Sequence, residues 1–174
     1  MTIAMNQGVI KKLDKNLINQ IAAGEVVERP SSVVKELLEN SLDAGSKTIK
    51  MELINGGIDL IRITDDGKGV DKIDFPLLLV KHATSKIQTI NDLENTFSLG
   101  FRGEALASIS SVSQFIFASK TKESPNAFQI DQNGEISPCA LNQGTKVEVK
   151  NLFYNVPARK EYLKTPNTEY SNIV

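Results

Sequence analysis

The sequence has little thiol or imidazole chemistry available to it: one cysteine, Cys139, and one histidine, His82, in 174 residues. A single thiol cannot form an intrachain disulfide, and one Cys with one His cannot complete a four-ligand zinc site. These absences exclude a disulfide-stabilised secreted domain and a structural zinc module. They indicate a reducing intracellular environment.

Long apolar runs and a dominant sign of charge are also missing. No stretch of about 18 apolar residues is present, so we expect no membrane span. The N-terminus has no apolar core with basic flanks, so we expect no signal peptide. The formal net charge of −1 argues against a domain that coats nucleic acid by bulk electrostatics. With 40% hydrophobic and 24% charged residues, the composition is that of one globular domain.

What is present is an ordered series of helix and strand patterns. Apolar spacing predicts a helix between Asp14 and Gly24 and another between Pro30 and Gly45. Alternation around the turn Asn55-Gly56 predicts a hairpin. The predicted strands are 48–54, 58–64, 114–120, 127–131 and 145–150, and the shorter predicted helices are 74–81, 104–110 and 155–163. Because the strands pair through hairpins, we predict an α+β fold: a two-layer α/β sandwich of a mixed, largely antiparallel sheet with helices on one face.

Glu36 and Asn40 lie four residues apart in the second predicted helix and therefore project from the same face. Apolar neighbours such as Leu37 would hold this helix against the core. A carboxylate can polarise an attacking water, and an amide carbonyl is a hard oxygen ligand suited to Mg²⁺. The alternative is an ordinary solvated face on which Glu36 pairs with Lys35 or Arg29.

The segment Asp65-Asp66-Gly67-Lys68-Gly69 directly follows the second predicted strand. An Asp at a strand end, followed by two glycines, can turn its carboxylate into a pocket while the backbone passes close to a ligand. Since a carboxylate only accepts hydrogen bonds, its natural partner is an amine such as N6 of adenine. The alternative is a simple type I turn.

Residues 83–103 are polar, punctuated by glycine and too long for an ordinary connection, which is typical of a functional loop. The loop ends in Gly100-Phe101-Arg102-Gly103 before a predicted helix, where backbone N–H groups can bind an anion. This segment is neither a Walker motif nor a dinucleotide fingerprint, and a simple glycine hinge is the alternative. Gly144-Thr145 opens the last strand, where the hydroxyl could bond a base through water or belong to an ordinary strand start.

In residue type, order and spacing these segments resemble the motifs of MutL DNA mismatch-repair ATPases. Six segments carry the resemblance: 21–45, 65–69, 82–86, 99–109, 143–145 and 152–159. The most specific is 99–109, which reads Leu-Gly-Phe-Arg-Gly-Glu-Ala-Leu-Ala-Ser-Ile and is similar to part of the MutL ATP lid. The match runs from about residue 10 to the end of the chain.

The resemblance implies the superfamily of gyrase, heat-shock chaperone, histidine kinase and MutL ATPases (the GHKL or Bergerat fold) and a Mg-dependent ATPase. It implies that Glu36 is the catalytic base that activates water, that Asn40 binds Mg²⁺ and that Asp65 reads adenine. Gly69 and Thr145 would complete the base pocket. The nucleotide-binding lid residues that it implies are Thr84, Ser85, Lys86, Leu99, Gly100, Phe101, Arg102, Gly103 and Glu104.

For a whole protein, the resemblance implies an ATPase whose nucleotide state controls dimerisation in DNA mismatch repair. The implied partners are ATP, a MutS-type mismatch-recognition protein, DNA through the full-length protein, and a second copy or a paralogue, with no membrane partner. MutL proteins continue into a second subdomain, which supplies a lysine to the γ-phosphate, and a C-terminal dimerisation domain. We therefore expect residues 1–174 to be an N-terminal subdomain with weak hydrolysis alone. Segment 82–86 looks bacterial, which predicts a cytoplasmic location; a eukaryotic source would predict the nucleus.

Two single positions bear on the resemblance, and three other classes of protein were weighed against it. Asp66 stands where the family commonly has Asn, and we expect this change to be tolerated. His82 resembles a lid-hinge position and is expected to be structural rather than a general base. The other classes are a nucleotide-binding module without turnover, a histidine kinase, and a gyrase-type or chaperone ATPase. Glu36 argues against the first two, and segment 100–109 argues against the third.

Overall fold

The computed structural model describes residues 27–80 and 105–174. The helices in these ranges are α1 Pro30–Asp43, α2 Phe75–Leu78, α3 Ala105–Ser111, α4 Pro157–Glu161 and α5 Pro166–Ile173. The strands are β1 Ile49–Ile54, β2 Leu60–Asp65, β3 Gln114–Lys120, β4 Ala127–Asp131, β5 Ile136–Cys139 and β6 Gly144–Lys150. Two short 3₁₀ turns cover Asn55–Gly57 and Lys72–Asp74.

The strands form one sheet in the order β1-β2-β6-β3-β4-β5. All the pairings between neighbouring strands in this sheet are antiparallel. The last strand in the chain, β6, lies between β2 and β3, so the centre of the sheet depends on contacts between residues far apart in sequence. The predicted α+β fold with a largely antiparallel sheet is confirmed.

The two faces of the sheet differ in polarity, as the alternation along the strands predicts. One face carries buried apolar side chains and packs against α1 through Val33, Val34 and Leu37. Burial of each such side chain contributes roughly 1.5–3 kcal/mol relative to exposure. The opposite face carries ion pairs, in which Arg62 contacts Glu52 at 3.2 Å and Glu148 at 3.4 Å. Among the described residues, α1 covers the apolar face, so the predicted two-layer arrangement is confirmed.

Helix α5 docks on the β1–β2 turn and on the start of α1. Asn55 and Gly56 have φ values of 52° and 67°, which suits the turn chemistry expected of Asn-Gly. A Cβ on Gly56 would collide with the carbonyl of Pro166 at the start of α5. The carboxylate of Glu169, 1% exposed, contacts the guanidinium of Arg29 at 3.5 Å. Helix α5 therefore fixes the entry of the chain into α1.

Several boundaries differ from the sequence-based expectation. The predicted helix 74–81 is a 3₁₀ turn followed by the single helical turn of α2. Strand β5 was not predicted because it is short and contains Pro138, which is tolerated in it as an edge strand. Helix α5 was not predicted either. The helix predicted between Asp14 and Gly24 lies outside the described residues. Within the part of the chain that the structure describes, no helix is long and apolar enough to cross a membrane.

Candidate functional site

A row of polar side chains crosses the apolar face of the sheet at one end. Asp65 on β2 pairs directly with Thr145 on β6, and Thr145 pairs directly with Ser119 on β3. Their exposed fractions are 9%, 9% and 2%. Residues directly opposite each other in an antiparallel sheet project to the same face, so these three side chains, which we call the polar row, lie side by side. The next row along the sheet is apolar: Ile63, Val147 and Phe117.

The carboxylate of Asp65 is held from two sides. Its Oδ2 accepts a hydrogen bond of 2.7 Å from the hydroxyl of Ser41 on α1, and its Oδ1 accepts one of 2.9 Å from the backbone N–H of Gly67. A carboxylate oxygen has two lone-pair sites, so each oxygen retains capacity for a ligand donor. Sequence reasoning missed Ser41. The available signal was its position four residues after Leu37, on the face of α1 that packs against the sheet.

Gly69 and Gly144 allow backbone segments to pack closely together around the polar row. Gly69 has φ +75°, and a Cβ there would collide with the carbonyl of Lys120. Gly144 has φ +129°, and a Cβ there would collide with the carbonyl of Asp65. Both positions require glycine for conformation and for space. The sequence predicted that the backbone of the Asp-Gly-Lys-Gly segment passes close to a ligand. Within the described residues, what Gly69 approaches is the backbone of Lys120.

Ser119 links the polar row to the segment after Asp65. Its Oγ accepts a hydrogen bond of 2.8 Å from the N–H of Val70, donates one of 2.9 Å to the carbonyl of Gly144, and lies 2.8 Å from Oγ1 of Thr145. Sequence reasoning missed this residue. Side chains at alternate positions of β3 face the core, and Ser119 follows Phe115 and Phe117 in that series. A serine at a core-facing position near the end of a strand was the available signal.

Helix α1 brings Asn40 and Glu36 towards the same end of the sheet. Asn40 precedes Ser41, whose hydroxyl contacts Asp65, and Glu36 lies one turn earlier on the helix. Both side chains belong to half-buried residues, and Oε2 of Glu36 is shielded from solvent. The roles predicted for Glu36 and Asn40, and the alternative of an ordinary surface pairing, stay predictions. Arg29, one of the surface partners considered for Glu36, contributes its guanidinium to Glu169.

Asp66 points away from the polar row and stabilises the turn before β1. Its Oδ1 accepts hydrogen bonds from the N–H groups of Lys47 at 2.8 Å and Thr48 at 2.9 Å. These bonds, that of Thr48 first, hold the pKa of the Asp66 carboxyl below its usual value. The side-chain oxygen of an Asn could accept the same two bonds, which gives a physical reason for the expected tolerance at this position.

The residues predicted to contact a metal ion and phosphates lie only partly within the described residues. Across residues 27–80 and 105–174, no group of three or more His, Cys, Asp or Glu side chains could hold a metal ion. A cation at Asn40 would therefore need further oxygen ligands from a bound substrate or water. The lid residues predicted from the sequence lie outside the described residues and stay predictions, as does the role of His82: Thr84, Ser85, Lys86, Leu99, Gly100, Phe101, Arg102, Gly103 and Glu104.

A separate open groove of about 680 Å³ lies beside β4 and β5. Its lining residues are Lys120, Pro125, Asn126, Ala127, Cys139, Ala140, Leu141 and Asn142. Burial raises the pKa of the Cys139 thiol, so the thiol is protonated and weakly nucleophilic at neutral pH. The groove offers no anchored carboxylate comparable with Asp65, and the polar row is the better candidate site.

Comparison with known proteins shows which family the chain belongs to. The family model described as histidine kinase-, DNA gyrase B-, and HSP90-like ATPase matches residues 28–147. The DNA mismatch repair protein MutL of Pseudomonas fluorescens (strain SBW25) is 51% identical over 175 residues, which cover 97% of this chain and 28% of that protein. The protein of the same name from Haemophilus influenzae (strain ATCC 51907) is 56% identical over 169 residues, which cover 94% of this chain and 27% of that protein.

Two solved structures extend the comparison to the fold. The crystal structure of the N-terminal domain of a DNA repair protein has a TM-score of 0.75 and 32% identity, covering 93% of this chain and 48% of that one. The Aquifex aeolicus MutL ATPase domain complexed with ADP has a TM-score of 0.63 and 32% identity, covering 85% of this chain and 52% of that one.

The chain belongs to the family of histidine kinase-, DNA gyrase B- and HSP90-like ATPases. Within that family, the resemblance to the ATPase region of MutL proteins that the sequence motifs indicated is confirmed. The chain spans only about 28% of the length of the first curated relative it matches.

Asp66 gives the turn before β1 a pH dependence that can be measured. Because its folded pKa is lowered, it contributes stability that is present above its unfolded pKa and is lost as the pH falls through the folded pKa. We expect Asp66→Asn to lose less stability than the parent below about pH 5. The measurement is urea unfolding from pH 7 to pH 3. Asp66→Ala, which accepts neither N–H bond, is the control and should be less stable than Asp66→Asn at pH 7. If the free energy of unfolding falls equally in the parent and in Asp66→Asn between pH 7 and pH 3, the assignment is contradicted.

Proposed function

We propose that this chain is the ATP-binding and ATP-hydrolysing region of a MutL-type DNA mismatch-repair protein. The observation that carries the proposal is the buried carboxylate of Asp65, which Ser41 and Gly67 hold in place beside the helix that carries Asn40 and Glu36. A fixed acceptor, a hard oxygen ligand and a carboxylate base are the groups that hydrolysis of an adenine nucleotide requires.

The polar row suits adenine rather than guanine. Asp65 accepts hydrogen bonds, so it matches the exocyclic amine N6 of adenine and repels the carbonyl O6 that guanine has at the same position. A mismatch of this kind leaves buried polar groups unpaired, which discriminates strongly between ligands. Thr145, opposite Asp65 in the sheet, and the backbone at Gly69 would form the remaining wall of the base pocket.

Glu36 and Asn40 would act at the phosphate end of the nucleotide. The amide oxygen of Asn40 is a hard donor of the kind that Mg²⁺ accepts, and this ion, when bound, would neutralise charge on the phosphates. Glu36, one turn away, would accept a proton from the water that attacks the γ-phosphate.

The names of the relatives suggest the wider role. Proteins called DNA mismatch repair protein MutL match nearly the whole chain. We propose that nucleotide binding here controls dimerisation, with itself or a paralogue, and contacts with a MutS-type protein and DNA. The relatives are bacterial, which favours the bacterial cytoplasm as the location. The competing function is a nucleotide-binding module without turnover, and Glu36 is the residue that distinguishes the two.

Replacing Asp65 should abolish binding of adenine nucleotides. We expect Mg-AMPPNP at a hundred times its dissociation constant to stabilise the parent by about 2.7 kcal/mol, which raises Tm by about 5–10 °C for a domain of this size. Asp65→Asn replaces one carboxylate oxygen with an N–H donor, and the N–H of Gly67 still requires the remaining oxygen, so a donor faces the donor N6 and the shift should fall to near zero. The measurement is a thermal melt with and without nucleotide.

Asp71→Asn is the matched control, since Asp71 is exposed and its carboxylate contacts only the nearby N–H of Ile73 among the contacts seen. Its nucleotide shift should equal that of the parent. An undiminished shift in Asp65→Asn would show that Asp65 does not read the base.

Removing Glu36 should stop turnover and spare binding. We expect Glu36→Ala to lower kcat by at least about 100-fold, since general bases contribute about 10²–10⁴, while the dissociation constant for AMPPNP stays within about threefold. The measurement is steady-state phosphate release by the full-length protein, paired with nucleotide titration. Glu28→Ala, an exposed carboxylate just before α1, is the control and should keep its kcat. Turnover that survives in Glu36→Ala would assign the base elsewhere.

A further inference from the structure

Two hydrogen bonds, about one helical turn apart, tie the C-terminal end of α1 to the segment that carries Asp65. The hydroxyl of Ser41, 3% exposed, donates its proton to Oδ2 of Asp65 at 2.7 Å. The carbonyl of Ala44, the residue after α1, accepts from the N–H of Lys68 at 3.0 Å. The first bond comes from a side chain and the second from the backbone, so a substitution can remove the first alone.

The carboxylate of Asp65 is also held by its own turn, independently of α1. Its Oδ1 accepts from the N–H of Gly67 at 2.9 Å. The carbonyl of Gly67 accepts in turn from Nε2 of Gln143 at 3.3 Å, so this turn is joined to the loop before β6. Removing the hydroxyl of Ser41 should therefore leave Asp65 in place to receive a ligand, while it breaks the side-chain connection to the helix.

The bond from Ser41 contributes to the rotation of α1 over the sheet. The apolar contacts of Val33, Val34 and Leu37 are non-directional, so they limit this rotation less sharply than hydrogen bonds do. The backbone bond at Ala44 provides one fixed point, and a second bond one turn earlier restricts rotation about that point. The direction in which the preceding side chains of the helix project therefore depends on Ser41.

A nucleotide bound as proposed would extend from Asp65 to Asn40 and Glu36. Its base is anchored at one end through N6, and its reacting phosphate lies at the other end. Catalysis is sensitive to this placement, since a displacement of about 1 Å can lower a rate about 100-fold. The contact between Ser41 and Asp65 joins the base-reading carboxylate directly to the helix that carries the phosphate-end residues.

We propose that Ser41 is a positioning residue for hydrolysis: its bond to Asp65 sets the helix at the distance where an adenine anchored through N6 brings its γ-phosphate to the catalytic side chains. Ser41 acts through Asp65 and through the backbone of α1, and we assign it no contact with the nucleotide. Recognition of the base then raises kcat as well as lowering KM. This inference rests on the proposed function, because it assumes that an adenine lies against Asp65.

The test compares ATP with purine riboside triphosphate, which lacks the N6 amine. Both kcat and KM of the full-length protein would be measured for each substrate. In the parent, loss of N6 should raise KM about tenfold, as loss of one hydrogen bond predicts, and should lower kcat about tenfold through poorer placement of the phosphates. In Ser41→Ala, kcat for ATP should fall to within about twofold of kcat for the analogue, while the preference in KM stays near about tenfold.

Two further variants separate positioning from general damage. Ser113→Ala removes another buried serine, 1% exposed, whose hydroxyl donates to the carbonyl of Ile109 at 2.7 Å, and it should keep both preferences. Ser41→Ala should fold, because alanine suits a helix interior and the backbone bond at Ala44 is unchanged. If it does not fold, Ser41→Cys carries the test: its weaker thiol donor should reduce the preference in kcat and leave the preference in KM.

The outcomes distinguish this inference from the proposed function. A preference in kcat that persists in folded Ser41→Ala or Ser41→Cys overturns the inference, even where both kcat values fall, because an equal fall indicates a purely structural role. Loss of the KM preference in these variants also overturns it, since Ser41 would then only shape the contact with the base. A parent that prefers ATP in KM but not in kcat overturns the inference and leaves adenine recognition standing. A parent with neither preference overturns adenine recognition by Asp65, and the proposed function fails first.

Discussion

The hydrogen bond between Ser41 and Asp65 joins the two layers of the molecule at the point where the proposed chemistry takes place. A buried carboxylate is costly unless hydrogen bonds replace its lost hydration, and Ser41 from the helix with Gly67 from the turn provides them at 2.7 and 2.9 Å. The same bond fixes where the last turns of α1 lie over the sheet. Asn40 and Glu36, on those turns, are therefore placed relative to Asp65 by one short contact.

The rest of the fold limits how far the hydrogen bond between Ser41 and Asp65 can shift. At the C-terminal side of β2, Gly144 packs against the carbonyl of Asp65 so closely that no side chain would fit. At the other end of α1, the pair Arg29–Glu169 and the docking of α5 on Gly56 fix the entry of the helix. Interiors packed at this density respond to small changes of volume, so substitutions distant from the polar row can still displace α1.

The sequence predicted the helices and strands that have a long, regular apolar pattern. It did not predict which residues lie side by side when that depends on pairing between strands far apart in sequence. Helix α1 and the hairpin around Asn55 carry strong local signals, and the motifs that resemble MutL proteins identified Asp65 and Thr145. The register that sets Asp65 opposite Thr145, and Thr145 opposite Ser119, joins segments far apart in sequence, and no local pattern encodes it. Ser119 and Ser41 were missed because an inward serine has no distinctive composition until its neighbours are known.

The most direct test of the account is a crystal structure of this chain with ADP. We predict that N6 of the adenine lies about 3 Å from a carboxylate oxygen of Asp65, with the purine against Thr145 and the phosphates directed towards Asn40. An adenine seated away from the polar row, in the groove that contains Cys139 or with N6 turned from Asp65, would contradict it.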